Sequence, residues 1–115
     1  MSGGTHRVGA LAEIDDPGCR EFTVGDGDWP FRGFVVRRGD AIYAYQNYCM
    51  HVGHPLNWVP GKFLTKDNTA IVCASHGALY AIDTGTCFSG PCKGDSLRRV
   101  ACELRDGDVW VTVAQ

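Results

Sequence analysis

Residues 48–55 read Tyr-Cys-Met-His-Val-Gly-His-Pro, and residues 72–80 echo them as Val-Cys-Ala-Ser-His-Gly-Ala-Leu-Tyr. Each stretch places one thiol close to one imidazole, as Cys-x-His in the first stretch and Cys-x-x-His in the second. Thiolates and imidazoles are strong ligands for zinc and for iron–sulfur clusters. The pattern therefore predicts a metal site, and the rest of the chain is the scaffold that brings the two stretches together.

The predicted ligands are Cys49, His51, Cys73 and His76. They suit either one tetrahedral zinc ion or a [2Fe–2S] cluster. Zinc sites usually pair like ligands, with two cysteines in one loop and two histidines in another. Here each stretch mixes the two types, so both cysteines can bind one iron and both histidines the other. The mixed pattern favours the cluster, and zinc remains the alternative.

These motifs resemble the ligand loops of the Rieske family. His51 is followed by Val52-Gly53 and His76 directly by Gly77, at the family's spacing. The resemblance continues through residues 84–97 and covers about residues 6–114. It implies that Cys49 and Cys73 hold the inner iron of a [2Fe–2S] cluster, while His51 and His76 hold the outer iron and form the electron exit toward a partner.

The resemblance also implies two further residues at the site. Pro91 looks like part of the proline loop that closes the third side of the cluster. In high-potential Rieske proteins, a Ser and a Tyr after the second histidine donate hydrogen bonds to sulfur; here those positions are Ala78, which cannot donate, and Tyr80, which can. We therefore expect a redox potential on the order of −150 to +50 mV, in the lower half of the Rieske range.

The implied function is that of a one-electron carrier, similar to Rieske-type ferredoxins that accept electrons from a reductase and pass them to a terminal oxygenase or reductase. A small Rieske subunit of a larger reductase is an alternative, and a zinc-binding interaction module is an alternative of another class. The sequence contains no Ser-His-Asp pattern, phosphate-binding Gly loop or 2-His-1-carboxylate set, so we expect no enzyme activity of its own. His54 is expected to be a solvent-facing loop histidine.

Composition is that of one globular domain. The chain has 115 residues, of which 44% are hydrophobic and 21% charged, with a net charge of −2. These values favour neither disorder nor nucleic-acid binding. No apolar run follows the first residues and no stretch approaches membrane-spanning length, so we expect a soluble cytoplasmic protein without a membrane partner.

Short strands separated by Gly and Pro predict an all-β fold. The resemblance implies that this fold is a Rieske-like antiparallel sandwich or barrel. The predicted strands are residues 7–11, 19–24, 32–37, 41–45, 79–82, 97–104 and 109–113, and residues 87–94 are predicted to be a Gly/Pro loop. The resemblance implies a base formed by residues 1–45 and 96–115. A small cluster-binding subdomain is expected at about residues 46–95, within a single Rieske domain spanning 1–115.

The remaining cysteines are expected to be reduced. Cys19 and Cys102 lie in strand-like contexts and are interpreted as packing residues. High-potential Rieske proteins join their ligand loops by a disulfide, but His54 and Ser75 occupy those positions here. Cys87 and Cys92 flank the Gly90-Pro91 turn and are expected to be free thiols in a reducing cytoplasm; a disulfide between them across this loop is the alternative.

The loop between the two motifs is long, with 21 residues between His51 and Cys73. Such an insertion adds only a small logarithmic closure term, so it does not threaten the site. Trp58 and Phe63 in this loop are expected to pack locally; the alternative is that they cover the cluster or form a partner surface.

Overall fold

Two antiparallel β-sheets make up the architecture, seen in a computed structural model that describes residues 4–25, 30–48, 56, 63–73, 77–90 and 95–113. The strands are β1 (Thr5–Ala10), β2 (Gly18–Val24), β3 (Phe31–Arg38), β4 (Ala41–Gln46), β5 (Ile71–Val72), β6 (Leu79–Tyr80), β7 (Cys87–Ser89), β8 (Arg99–Arg105) and β9 (Asp108–Thr112). The large sheet has the order β1-β9-β8-β4-β3-β2, and the small sheet has the order β5-β6-β7. The edge strands β1 and β2 contact each other, so the large sheet curls toward a barrel. The predicted all-β fold is confirmed.

Strand β3 is covered on both faces, which explains its continuous apolar run. Phe34 and Val36 are buried against the small sheet, whereas Val35 between them is buried in the core of the large sheet. Successive side chains of a strand point to opposite faces, and β4 repeats the pattern with Tyr45 and Ala44. The central strands of the large sheet therefore separate two hydrophobic cores.

The core between the two sheets positions the predicted site. Its buried members are Phe34, Val36, Tyr45, Leu56, Phe63, Ile71, Cys73, Ala78, Tyr80, Ile82, Cys87 and Leu97. Five of these buried residues lie in or beside β5 and β6, namely Ile71, Cys73, Ala78, Tyr80 and Ile82. The small sheet is thus held by its apolar face on the large sheet, because burying that surface is what stabilises so short a set of strands.

Phe63 attaches the long loop to this core. Its ring is fully buried and lies face to face with the ring of Phe34, with centroids 4.0 Å apart and an interplanar angle of 8°. Phe63 is therefore a packing residue, and its partner is Phe34 in β3 of the large sheet. Trp58 lies outside the described residues.

Two elements of the small sheet differ from the sequence-based prediction. Strand β6 ends at Tyr80, because the chain turns at Ile82–Thr84 and the Gly85 N–H donates to the Ala81 carbonyl at 2.8 Å. Residues 87–89 were predicted as loop but form β7, whose Cys87 pairs with Tyr80 of β6. A strand of three residues beside Gly and Pro has no alternation long enough to be recognised.

A 3₁₀ turn, Leu11–Glu13, connects β1 to β2. The guanidinium of Arg37 in β3 donates to the carbonyls of Leu11 and Ile14, at 3.1 and 2.9 Å. Hydrogen bonds from a charged group to two backbone carbonyls fix this turn on the large sheet. No helix in the described part of the chain has the length and apolar character needed to cross a membrane.

Two groups with raised pKa values, the partly buried Cys19 thiol and the buried Tyr45 phenol, predict a loss of stability at alkaline pH. Burial raises the pKa of the Cys19 thiol from 9.0 to about 12 and the pKa of the Tyr45 phenol from 10.0 to about 12. Both groups stay protonated in the folded state, whereas in the unfolded chain they ionise at lower pH. Their contribution to stability is therefore complete below the unfolded-state pKa values and is lost as pH rises toward the folded-state values.

We expect the free energy of unfolding to fall between about pH 9 and pH 12. Urea unfolding followed by circular dichroism at a series of alkaline pH values measures this. A Cys19→Ala variant is the control, because it should lose part of the dependence. An unfolding free energy that stayed constant across this range would contradict the prediction.

Candidate metal centre

The second ligand loop, residues 73–78, connects β5 to β6 and is described at its two ends. The Cys73 N–H donates to the Ala78 carbonyl at 2.9 Å, and the Gly77 N–H donates to the Cys73 carbonyl at 2.8 Å. Gly77 has a φ of +69°, a conformation that glycine adopts without steric cost. The predicted ligand Cys73 is thus held by backbone hydrogen bonds at the end of a strand, while His76 lies outside the described residues.

The environment of Cys73 suits a sulfur ligand. Its side chain is fully buried in the core between the two sheets, near the start of the loop. Iron–sulfur clusters bind thiolate sulfur, and a surrounding apolar shell limits access of solvent to the metal. The buried Cys73 side chain therefore fits the role of a sulfur ligand in an iron–sulfur centre.

The first ligand loop, residues 47–56, is described at its two ends. Asn47 follows β4, and its backbone N–H donates to the Arg32 carbonyl at 2.9 Å. The side-chain oxygen of Asn47 accepts a hydrogen bond from the Leu56 N–H at 2.8 Å, and both residues are buried. The loop is therefore closed at its base. Its predicted ligands Cys49 and His51, and also His54, lie outside the described residues.

Sequence reasoning missed this closure. Asn47 and Leu56 lie on either side of the motif at residues 48–55. Nothing in the sequence around either residue indicates that the two are in contact. The only available signal was a polar residue directly after a predicted buried strand, which is common at strand ends. Their contact depends on the conformation of the whole loop.

A third loop follows β7, and its first residue, Gly90, meets the second ligand loop at Ala78. Gly90 has a φ of +98°, and a Cβ atom placed on it would lie 2.8 Å from the Cα of Ala78. Only glycine permits this backbone approach without a shift. The Cys87 N–H donates to the Asp95 carbonyl at 2.7 Å and closes the loop. Gly90 thus lies against Ala78 of the second ligand loop. Pro91 itself lies outside the described residues.

Tyr80 and Cys87 lie side by side at the edge of this region. Tyr80 is buried in β6 directly opposite Cys87 in β7. Cys87 is a free thiol whose Sγ donates to the Ser89 carbonyl at 3.2 Å. Cys92 lies outside the described residues, so the expectation that Cys87 and Cys92 are unbridged stays a prediction.

Cys19 and Cys102 are packing residues, as predicted. Cys19 lies in β2 and packs against the core between the sheets, whereas Cys102 lies in β8 and packs against the core of the large sheet. Burial raises the pKa of both thiols. Both cysteines lie in strands of the large sheet and not in the ligand loops.

Comparison with known proteins gives one family. The family model of the Rieske [2Fe–2S] domain matches residues 5–108. A search among curated proteins finds no match.

Similar solved structures come from carbazole 1,9a-dioxygenase systems. One chain in a complex of reduced oxygenase and oxidized ferredoxin is 27% identical, with a TM-score of 0.71 over 94% of this chain and 92% of that chain. The ferredoxin from Nocardioides aromaticivorans IC177 is 22% identical, with a TM-score of 0.74 over 97% and 99%. The terminal oxygenase from Novosphingobium sp. KA1 is 18% identical, with a TM-score of 0.76 over 97% of this chain but 30% of that chain. The chain thus shares its fold with nearly the whole of the Nocardioides ferredoxin and with part of a longer oxygenase chain.

Proposed function

The chain belongs to the Rieske [2Fe–2S] domain family, and we propose that it is a one-electron carrier that serves a terminal oxygenase. The observation that carries the proposal is the family match over residues 5–108, which includes both ligand loops. The buried position of Cys73 in a hydrogen-bonded turn supports it, because that is the setting a cluster ligand requires.

We assign Cys49 and Cys73 as ligands of one iron, and His51 and His76 as ligands of the other. A bound [2Fe–2S] cluster supplies reversible one-electron chemistry. The protein's own contribution is to hold the four ligand side chains in place and to keep water away from the buried Cys73 sulfur. We further propose that about residues 46–95 form the cluster-binding subdomain, with the base at residues 1–45 and 96–115.

The proposed partners are a reductase that supplies electrons and a terminal oxygenase that accepts them. Two similar structures support this, since one contains a ferredoxin in complex with an oxygenase and the other is a dioxygenase ferredoxin. The alignment covers 92% and 99% of the matched chains in these two structures, as expected of an independent carrier. No catalytic activity of its own is proposed. We place the carrier in the cytoplasm, where the free thiols Cys19, Cys87 and Cys102 would stay reduced.

Metal content and spectroscopy test the proposal. The purified protein should be red-brown, contain equal amounts of iron and acid-labile sulfide, and give an EPR signal when reduced. A colourless protein with stoichiometric zinc would support an interaction module instead. Affinity capture from the native host with the cluster intact then tests the partners, and recovery of an oxygenase and its reductase is the expected result. Failure of the reductase to reduce the protein, or of the reduced protein to transfer electrons to the oxygenase, would contradict the proposal.

The redox potential should depend on Tyr80. We propose that its hydroxyl donates a hydrogen bond to a cluster ligand sulfur, which stabilises the more negative reduced state. Tyr80→Phe removes the hydroxyl and keeps the buried ring. With a net hydrogen-bond contribution of about 0.5–1.5 kcal/mol, the potential should fall by about 20–60 mV.

Protein-film voltammetry on wild type and variant measures the change. Tyr43→Phe is a matched control, because Tyr43 is only partly buried and lies in β4 of the large sheet. If Tyr80 serves only to pack in its strand, Tyr80→Phe and Tyr43→Phe will leave the potential equally unchanged. The wild-type potential should itself lie on the order of −150 to +50 mV.

A further inference from the structure

The loops around the proposed centre are closed in two different ways. Backbone hydrogen bonds close the second ligand loop, between Cys73 and Ala78, and the third loop, between Cys87 and Asp95. The first ligand loop is closed by a side chain, through the hydrogen bond from Leu56 to Asn47. A single substitution can remove a side-chain closure, whereas backbone closures survive most substitutions.

The setting of Asn47 makes this contact strong. Asn47 is the one buried polar or charged residue among those the structure describes, and Leu56 is fully buried. Water cannot replace the carboxamide at such a position, so removing it would leave the Leu56 N–H buried and unsatisfied. The contact also joins residues two before Cys49 and five after His51, so it fixes the span that both ligands must fit.

The disulfide of high-potential Rieske proteins is not expected in this sequence. His54 and Ser75 stand where those proteins have the cysteines of a disulfide between the loops. The first ligand loop is therefore not tied to the second by such a bridge. Asn47 supplies a noncovalent contact at the base of the loop, continuous with its backbone bond to Arg32 in β3.

We propose that Asn47 is a positioning residue for the cluster: by closing the first ligand loop, its side-chain oxygen holds Cys49 and His51 in the conformation that binds iron. The inference rests on the proposed function, since it presupposes a cluster between the loops. Asn47 does not itself ligate iron, and its effect passes through the loop.

Two variants of Asn47 distinguish loss of the hydrogen-bond acceptor that closes the loop from a change in the size of the side chain. Asn47→Leu has a similar shape but no acceptor, and Asn47→Asp keeps an oxygen that can accept from Leu56. Asn47→Leu should release iron to a chelator about tenfold or more faster than the wild type and should broaden or shift the EPR signal. Asn47→Asp should release iron at nearly the wild-type rate, because its carboxylate oxygen can still accept the hydrogen bond from the Leu56 N–H.

Arg37→Met is the structural control. It removes the two hydrogen bonds to the 3₁₀ turn at Leu11 and Ile14, so it should lower the free energy of unfolding. It should leave iron release and the EPR signal unchanged, because it lies in a different hydrogen-bond network. A general loss of stability would instead make Arg37→Met and Asn47→Leu behave alike.

Hydrogen exchange on the wild-type holoprotein gives a test that needs no variant. The Leu56 amide should be strongly protected, and rapid exchange at that amide would overturn the inference even if Asn47→Leu failed to fold. Wild-type iron release and an unchanged EPR signal in Asn47→Leu would overturn it as well, while leaving the carrier function intact. A wild-type protein without iron and sulfide would instead refute the proposed function itself.

Discussion

Cys73→Ser should yield a folded protein without iron. The serine hydroxyl is a harder ligand than a thiolate and stays protonated at neutral pH, so it cannot replace sulfur on the iron. Since the Cys73 backbone is held by hydrogen bonds to Ala78 and Gly77, the substitution should leave the turn in place. Iron and sulfide analysis of the purified variant measures the effect, which should be complete. Cys49→Ser should behave in the same way.

Cys87→Ser is the matched control for this prediction. Cys87 is a second buried cysteine of the same core, and its Sγ donates to the Ser89 carbonyl, a bond that a serine hydroxyl can also make. This variant should retain its iron and sulfide. Equal iron content in Cys73→Ser and the wild type would remove Cys73 from the ligand set.

The two ligand types should not be equivalent. His51→Cys, where it assembles a cluster, replaces a neutral ligand with an anionic one and should lower the redox potential. His51→Ala and His76→Ala should each lose native iron content or change the EPR signal. Native content and spectra in both would show that the histidines are not ligands.

The all-β fold and the family could be predicted from the sequence because the patterns that indicate them lie within short stretches of neighbouring residues. The Gly- and Pro-punctuated short strands indicated an all-β fold, and the hairpin of β3 and β4 follows from two apolar runs around Gly39-Asp40. The paired Cys and His motifs likewise identify a family whose model matches residues 5–108. Turn residues and ligand spacing are properties of neighbouring residues, so one sequence suffices to read them.

What the sequence did not show depends on contacts between distant residues. Strand β7 exists because Cys87 meets Tyr80 of β6, and no alternation within three residues reveals that pairing. The closure of the first ligand loop by Asn47 and Leu56 likewise needs the loop's path in space. The close approach of Gly90 to Ala78 is a third example, since a glycine before a proline reads only as a turn.

Phe63→Ala should be among the most destabilising single substitutions in the chain. It removes a fully buried ring that stacks on Phe34 with centroids 4.0 Å apart, and it leaves a cavity between the long loop and the large sheet. Substitutions of buried Phe by Ala cost about 3–5 kcal/mol. A domain of this size has about 5–15 kcal/mol in total, so the variant should be only marginally stable. Urea unfolding followed by circular dichroism measures the change.

A control and a mutant cycle separate the stacked pair from general hydrophobicity. Phe88→Ala makes the same chemical change in β7, where the side chain is 50% exposed, and it should shift the free energy of unfolding by no more than about 0.5 kcal/mol. Combining Phe63→Ala with Phe34→Ala should cost less than the sum of the single changes, because the two rings share one contact. An aromatic pair contributes about 0.5–1.5 kcal/mol beyond its buried area, and the coupling should be at least that large. Additive effects, or equal losses for Phe63→Ala and Phe88→Ala, would show that the Phe63 ring does not attach the long loop to the core.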